Sequence, residues 1–125
     1  MAGEQGQGQE RRAEPALRDD RENGRLEAYV GDAFAGVIVY FALDDEPHAL
    51  VVVHTVVDAD HEGKGIAGAL VRAFYAKAAR EGVPVVPLCP YAAKWAERHP
   101  EEAPPPSAEA VRAAERQLAA TPGLW

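Results

Sequence analysis

The feature that most constrains this sequence is a run of β-branched residues leading directly into a glycine-rich turn. Residues 51–57, VVVHTVV, contain five valines and a threonine, a composition that predicts a buried or half-buried strand. Residues 58–60 break the run, and Gly63 and Gly65 precede the apolar-periodic segment 66–74, which predicts a helix. A strand that ends at a helix N-terminus presents free backbone N–H groups and the positive end of the helix dipole. The turn is therefore a candidate anion site, with phosphate as the expected guest.

The glycine turn alone does not specify its ligand. A Walker loop needs two glycines five residues apart followed by Lys and Ser or Thr, and residues 63–66 do not have this pattern. Gly63, Gly65 and Gly68 have the spacing of a dinucleotide fingerprint, but no βαβ unit opens the chain. The alternative interpretation is a tight strand-to-helix connection without a ligand.

Composition excludes several classes of function. The 125 residues suffice for one domain with a core, and a net charge of −7 argues against binding of nucleic acid or anionic membranes. No apolar run approaches the length of a membrane span, and residues 1–25 lack the apolar core of a signal peptide. One cysteine excludes an internal disulfide, and the four histidines lack helical metal-ligand spacing. We expect a cytoplasmic protein without a metal.

Three strands are predicted to form an antiparallel meander before the glycine turn. Alternation of apolar and polar residues predicts the first strand, and a Gly-Asp pair predicts the hairpin turn that follows it. An acidic turn ending in proline separates the second strand from the third. The predicted strands are residues 26–30, 34–43 and 48–57.

A helix and a fourth core strand are predicted to follow the glycine turn. The helix runs from about Lys64 to a C-terminal glycine, Gly82. Residues 83–88 then return as a strand parallel to the strand that precedes the turn. Because Pro84 and Pro87 cannot donate to a ladder, this segment is either an ordinary edge strand or a strand that splays from its neighbour. A splay would open a crevice at the carboxyl ends of two parallel strands, where ligands of open α/β sheets bind.

Cys89 and His54 are the candidate catalytic residues. Pro90 suits the first position of a helix that continues through residues 92–96, which makes Cys89 its N-cap. Free N–H groups and the helix dipole favour a thiolate there, whereas a lone cysteine is commonly a small buried hydrophobe. His54 lies in the central strand beside the proposed crevice and is either a proton acceptor or a satisfied core histidine.

The two ends of the chain are predicted to lie outside the catalytic domain, residues 25–102. Residues 1–24 are poor in large aliphatic side chains, which predicts a disordered tail, with a short docking helix over residues 14–21 as the alternative. Residues 103–125 begin with a proline-rich spacer and continue as a helix over about residues 107–120. The sequence does not decide whether this helix packs on the core or on a partner chain, and the oligomeric state is unknown.

Several segments together resemble one family. The residues Glu62, Gly63, Lys64, Gly65, Ile66 and Ala67 resemble the (Arg/Gln)-x-x-Gly-x-(Gly/Ala) signature of the GCN5-related N-acetyltransferases. The resemblance spans roughly residues 25–102 and extends to the small single-domain, YjdJ-like branch of that superfamily. The segments that resemble this branch are His54-Thr55, VVPLCPY at residues 85–91 and RHPE at residues 98–101.

The resemblance implies an α/β fold with a mixed α+β sheet, in which an antiparallel meander is joined to one splayed parallel strand pair. It implies acetyl transfer from acetyl-CoA to an amine acceptor. The backbone amides of residues 62–67 would hold the pyrophosphate of coenzyme A, with Lys64 adding charge. The strand edge at Val56 and Val57 would hold the pantetheine arm, and reaction would occur near Cys89 and His54.

Two positions depart from the family pattern, and two other classes of function remain open. Glu62 stands where the superfamily has Arg or Gln, and Val56 stands where the branch has Glu after His-Thr. One alternative is a CoA-binding or protein-interaction module without turnover. The other is a hydrolase with Cys89 as nucleophile and His54 as base.

Overall fold

The chain forms a five-stranded mixed sheet with helices on both faces. The computed structural model describes residues 14–121. Strands adjacent in sequence are adjacent in the sheet, and every pair is antiparallel except the last, which is parallel. The predicted fold class is therefore confirmed. The elements are β1 (Ala16–Asp20), β2 (Arg25–Val30), β3 (Ala33–Ala42), β4 (Leu50–Val57), α1 (Ile66–Glu81), β5 (Val85–Pro87), α2 (Pro90–Arg98) and α3 (Ala108–Ala119).

Ordered structure begins earlier than the sequence predicts. Residues 1–24 are predicted to be a disordered tail, yet Ala16–Asp20 form β1 and pair with β2 over five residues. The alternative prediction of a helix over residues 14–21 is also wrong. Residues 1–13 lie outside the described part of the chain.

β1 is held in place by polar contacts, which is why its low apolar content did not predict a strand. Four of its five side chains are exposed, so the strand is attached mainly by its backbone ladder and by charged groups. The Tyr40 hydroxyl donates to the Asp19 carboxylate at 2.6 Å, and the Lys77 ammonium lies 3.2 Å from the same carboxylate. These partners lie 21 and 58 residues away in sequence (40 − 19 and 77 − 19). A local sequence pattern therefore could not predict these contacts.

The predicted antiparallel meander is confirmed. β2 and β3 are joined by the two-residue turn Gly31-Asp32, in which Gly31 has a φ of 62°. A positive φ suits glycine because it has no Cβ. β3 then pairs along its length with β4, which begins at Leu50, two residues later than predicted.

α1 connects the two parallel strands and carries a buried face. It ends where predicted: Gly82 has a φ of 76°, and its N–H donates to the carbonyls of Ala78 and Ala79. Phe74 is fully buried and meets Tyr40 edge-on at 4.9 Å between ring centroids. Truncating a buried phenylalanine to alanine costs about 3–5 kcal/mol, so this face anchors α1 to the sheet.

β5 is shorter than predicted and runs parallel to β4, as predicted. Leu50 lies opposite Val85, and Val52 lies opposite Pro87. Pro84 contributes its carbonyl instead of an N–H, accepting from the Leu50 N–H at 3.0 Å. The ladder between β4 and β5 is limited to three pairs, and this short ladder accommodates both prolines.

The sheet separates two apolar clusters. α1 and α2 cover the face to which Leu50 and Val52 point, and α3 covers the face to which Val51 and Val86 point. Alternate residues of a strand point to opposite faces, which is why neighbouring residues of β4 belong to different clusters.

α3 packs on the sheet of its own chain, which answers the question that the sequence left open. It begins where predicted, with the Ser107 hydroxyl accepting from the Ala110 N–H at 3.0 Å. Its buried residues, Ala110 and Ala114, belong to the cluster with Val51 and Val86. Between residues 14 and 121, no helix combines the length and apolarity needed to cross a membrane.

Candidate active site

β4 extends beyond its parallel neighbour. The last β4–β5 pair joins Val52 and Pro87, and β4 continues to Val57. The N–H groups of Leu88 and Cys89 both donate to the Val52 carbonyl, at 3.0 and 3.1 Å, before the chain turns into α2. The last five residues of β4 thus extend beyond the last pair with β5, as the splayed interpretation expects, and we refer to this edge of β4 at the carboxyl ends of the two parallel strands as the opening.

A β-bulge interrupts β4 at the edge of this opening. His54 lies opposite Val39, whereas Val52 lies opposite Tyr40. Val53 is therefore an extra residue between two paired ones. An extra residue reverses the face to which each later side chain points, because the side-chain period of a strand is two.

This reversal determines which β4 side chains lie on the sheet face that α1 and α2 cover, which we call the helical face. Before the bulge, Val52 packs in the cluster beneath α1, and after it Val57 packs against the same cluster. Thr55 also points to this face, where its Oγ1 lies 3.5 Å from the Cys89 sulfur. His54 is exposed and, by alternation, lies on the opposite face.

The structure therefore brings Cys89 together with Thr55 and not with His54. Cys89 is the N-cap of α2, and Pro90 is at its first position, as the sequence predicts. Its side chain is buried and makes no capping hydrogen bond to the helix backbone. Thr55 was not a predicted site residue, and its only signal is its place in the His-Thr pair.

Val56 lies on the same sheet face as His54, opposite the helical face, and we call this the outer face. Its side chain is 51% exposed and points away from the helical face. At the strand edge predicted to hold pantetheine, Val56 would therefore contribute its backbone and not its side chain. The opening is thus bordered by Thr55 and Cys89 on the helical face and by His54 and Val56 on the outer face.

The glycine turn forms a tight link between β4 and α1. A 3₁₀ turn, Ala59–His61, follows β4, and the Asp58 carboxylate accepts from the Asp60 N–H at 3.1 Å. Gly63 and Gly65 have φ values of 82° and 80°. These left-handed conformations suit glycine, which explains why two glycines stand here.

The first turn of α1 points its amides at a shallow depression. The first intrahelical donor is the N–H of Ala69, which bonds to the Gly65 carbonyl at 3.0 Å, so the three preceding N–H groups have no acceptor within the helix. The Lys64 ammonium lies 3.3 Å from His61 Nδ1 beside this depression. The depression has a volume of about 290 Å³ and is lined by Val57, His61, Glu62, Gly63, Gly65, Ile66, Ala67, Gly68 and Tyr91.

Tyr91 joins this depression although the sequence did not single it out. It is the second residue of α2, and a side chain added at Gly68 would begin 3.6 Å from its hydroxyl oxygen. Tyr91 is 44% exposed. The phenol of Tyr91 therefore lies over the first turn of α1, beside Gly68.

A larger groove of about 700 Å³ lies between α1 and α2. Aromatic rings stack along α2: the Trp95 centroid lies 5.8 Å from that of Tyr75 and 4.0 Å from that of His99. The Arg72 guanidinium lies 5.4 Å from the Trp95 ring. The α1 residues that line the groove beside Arg72 are small: Gly68, Ala69, Ala73 and Ala76.

Two groups that contact side chains lining the groove have shifted pKa values. The hydrogen bond from Arg72, 2.8 Å long, lowers the pKa of Glu102. Burial raises the pKa of Tyr75 to about 12, so its phenol is neutral at ordinary pH. In residues 14–121, no group of three or more His, Cys, Asp or Glu side chains is placed to hold a metal ion.

A mixed sheet opened between two parallel strands, with a glycine turn leading into the next helix, defines an α/β ligand-binding fold. The family model for GCN5-related N-acetyl-transferases matches residues 25–104. The chain therefore belongs to the GCN5-related N-acetyl-transferase family. The narrower resemblance to the YjdJ-like branch stays a prediction.

A solved structure is similar over part of the chain. The crystal structure of the ribosomal-protein-alanine N-acetyltransferase from Brucella melitensis biovar Abortus 2308 matches with 29% identity and a TM-score of 0.52. The match covers 60% of this chain and 59% of that one, so the chain spans about three fifths of that protein's length. No curated protein matches the chain.

Proposed function

We propose that this protein is an acetyl-CoA-dependent N-acetyltransferase. The observation that carries the proposal is that the opening beside β4 and the amides of the glycine turn adjoin each other. A long thioester with a pyrophosphate group needs both an anion anchor and a strand edge. Here they are consecutive along the chain, because only residues 58–65 separate the end of β4 at Val57 from the start of α1 at Ile66.

The depression is proposed to hold the pyrophosphate. The N–H groups of Ile66, Ala67 and Gly68 have no acceptor within the helix, and the positive end of the α1 dipole lies at the same point. Lys64 adds a positive charge beside them. The backbone at Val56 and Val57 would pair with the pantetheine arm, and Tyr91 would close the depression from above.

The acceptor amine is proposed to enter from the outer face. Thr55 and Cys89 border the helical face of the opening, so the amine reaches the thioester from the face that carries His54. Its nitrogen attacks the carbonyl carbon, the C–N bond forms, and the C–S bond breaks to release the thiol of coenzyme A. His54 accepts the proton that the amine loses. Cys89, buried against Thr55, shapes the opening next to the thioester.

A proline at the glycine turn tests the cofactor site. Gly65→Pro removes a backbone donor and prevents the positive φ at that position, so calorimetry should detect no CoA binding. Gly31→Pro is the matched control, because Gly31 also has a positive φ but lies in the β2–β3 turn. This control should lose stability and keep its affinity for CoA. A folded Gly65→Pro protein that binds CoA normally would contradict the proposal.

Substitutions on the outer face test the proton acceptor. If His54 is the base, His54→Gln should lower kcat and should remove a pH dependence of kcat/KM that the unchanged protein shows. Val56→Glu places a carboxylate on the same face and should increase turnover by up to about 10²-fold near neutral pH. A Val56→Glu protein that binds CoA without a gain in turnover would show that proton removal does not limit the rate.

A CoA-binding module without turnover is the second candidate, and one observation favours it. Val56 contributes no carboxylate to the outer face of the opening, so the acid that the YjdJ-like branch has at this position is missing. Release of free CoA thiol with a panel of amines separates the two functions. The Cys–His hydrolase has less support, because Cys89 contacts Thr55 and His54 points to the other face.

A further inference from the structure

The part of the outer sheet face near the end of β4 lies outside the apolar cluster beneath α3. The buried residues of α3 pack over Val51 and Val86, near the start of β4. Towards the end of β4, next to the opening, two large apolar side chains remain exposed: Val56 is 51% exposed and Phe34 is 41% exposed. Exposed apolar side chains grouped beside a site commonly mark a binding surface.

Strand register places four apolar side chains together on this part of the face. Tyr29 lies opposite Phe34, and their rings meet edge-to-face at 6.0 Å. Val37 lies opposite Val56, and paired residues share a face. We refer to Tyr29, Phe34, Val37 and Val56 as the shelf.

A carboxylate lies at the margin of the shelf. Glu27 is opposite Val37 and accepts a hydrogen bond from the Tyr29 hydroxyl at 2.9 Å. Arg25, on the same strand, lies one row further from the open end of β4, opposite Val39. The chain also carries a net charge of −7. The negative net charge therefore attracts an ammonium group to the molecule as a whole.

We propose that the shelf binds the acceptor, and that the acceptor is a small primary amine with an aromatic or branched apolar group. The apolar group lies over Phe34 and Val56, and the amino group reaches the opening beside His54. This proposal rests on the proposed acetyl transfer and specifies the substrate class of the same site.

The size of the shelf favours a small molecule over a protein partner. A stable protein interface buries about 800 Å² on each partner, whereas the shelf exposes two large apolar side chains. Its edge meets the opening directly through Val56. The occupant therefore has its apolar group and its reactive nitrogen within one short molecule.

Rates with two amines test the shelf. The full chain, with saturating acetyl-CoA, is assayed with 2-phenylethylamine and with ethanolamine. Phe34→Ser should lower kcat/KM about tenfold for 2-phenylethylamine and less than about twofold for ethanolamine, because only the first amine loses apolar contact. Leu17→Ser is the matched control, since Leu17 is 42% exposed on β1, away from the shelf. It should change neither rate.

Binding without turnover separates this proposal from the proposed function. NMR shifts of the Val56 methyl groups are followed while 2-phenylethylamine is added to the CoA-bound chain. Shifts that require Phe34, with no acetylation of any amine, would support the shelf and overturn acetyl transfer. Turnover that does not distinguish the two amines, or that Phe34→Ser leaves unchanged, would overturn the shelf. A concentration-dependent dimer abolished by Phe34→Ser would also overturn it, by showing that a second copy occupies this face.

Discussion

The first and last strands of the sheet are both edge strands, but they are attached by opposite means. β1 has four exposed side chains out of five and is attached by its ladder and by charges. β5 has only three residues, yet Val85 and Val86 are 2% and 0% exposed, packed into the clusters on the two faces. β5, the edge strand beside the candidate active site, is thus the one attached by apolar packing.

The charged network at β1 is partly shielded from solvent. Lys77 is only 8% exposed, and its ammonium contacts both Asp19 and Glu81. Arg21 donates two hydrogen bonds to Glu81, at 3.1 and 2.9 Å. Charged contacts are weakened by acid and by ionic screening, whereas apolar packing has no charge to titrate or to screen. The two edges should therefore respond differently to the same perturbation.

The largest effect on stability is expected from truncating the β4 leucine that pairs with the apolar edge strand, β5. Leu50, which pairs with β5, is 1% exposed, so Leu50→Ala should reduce the free energy of unfolding by about 2–5 kcal/mol. Leu17→Ala makes the same truncation at a half-exposed site on β1 and should cost less than about 0.5 kcal/mol. Denaturant unfolding measures both. Equal losses would contradict the distinction between the edges.

A smaller effect is expected from removing the central charge at β1. Lys77→Met leaves two carboxylates without their shared partner and should reduce the free energy of unfolding by about 1–3 kcal/mol. The affinity for CoA should not change, because the network lies away from the glycine turn. Lys94→Met, at an exposed position on α2, is the control. A weakened CoA complex in Lys77→Met would show that the two edges are coupled.

The smallest effect is the pH dependence that Glu81 contributes to the charged network at β1. The hydrogen bond from Lys77 is the main cause that lowers the pKa of Glu81 below its usual value near 4.5. A lowered folded pKa contributes stability above the usual value, and this contribution is lost as the pH falls through the folded value. Urea unfolding between pH 7 and about pH 3 should therefore show a smaller acid loss for Glu81→Gln than for the unchanged protein. Glu97→Gln, exposed on α2, should follow the unchanged protein.

Local signals predicted most of the fold. The turn at Gly31, the helix end at Gly82 and the N-cap at Ser107 each depend on a few neighbouring residues, and all three were found. β1 was missed because its attachment depends on Tyr40 and Lys77, which lie far away in sequence. Charge pairing between distant elements leaves no periodic pattern in the strand itself.

The candidate site was predictable only in part. The glycine turn lies within one contiguous motif, so the sequence located the depression. The contact of Cys89 with Thr55 depends on the bulge at Val53, and nothing in a run of valines marks an extra residue. Tyr91 and the groove beside it depend on how α1 and α2 pack. The roles assigned to Cys89, to His54 and to residues 56–57 and 62–67 stay predictions.

The bulge at Val53 makes one residue of β4 dispensable for its pairing with β3. Val52 and His54 already lie opposite consecutive residues of β3, so deleting this one valine would leave both pairs in place. His54 would keep the outer face, and Thr55 would still face Cys89. Deleting a residue after the bulge would instead turn every later side chain of β4 to the other face. The effect of a one-residue deletion in β4 is therefore expected to depend on whether it falls at the bulge or beyond it.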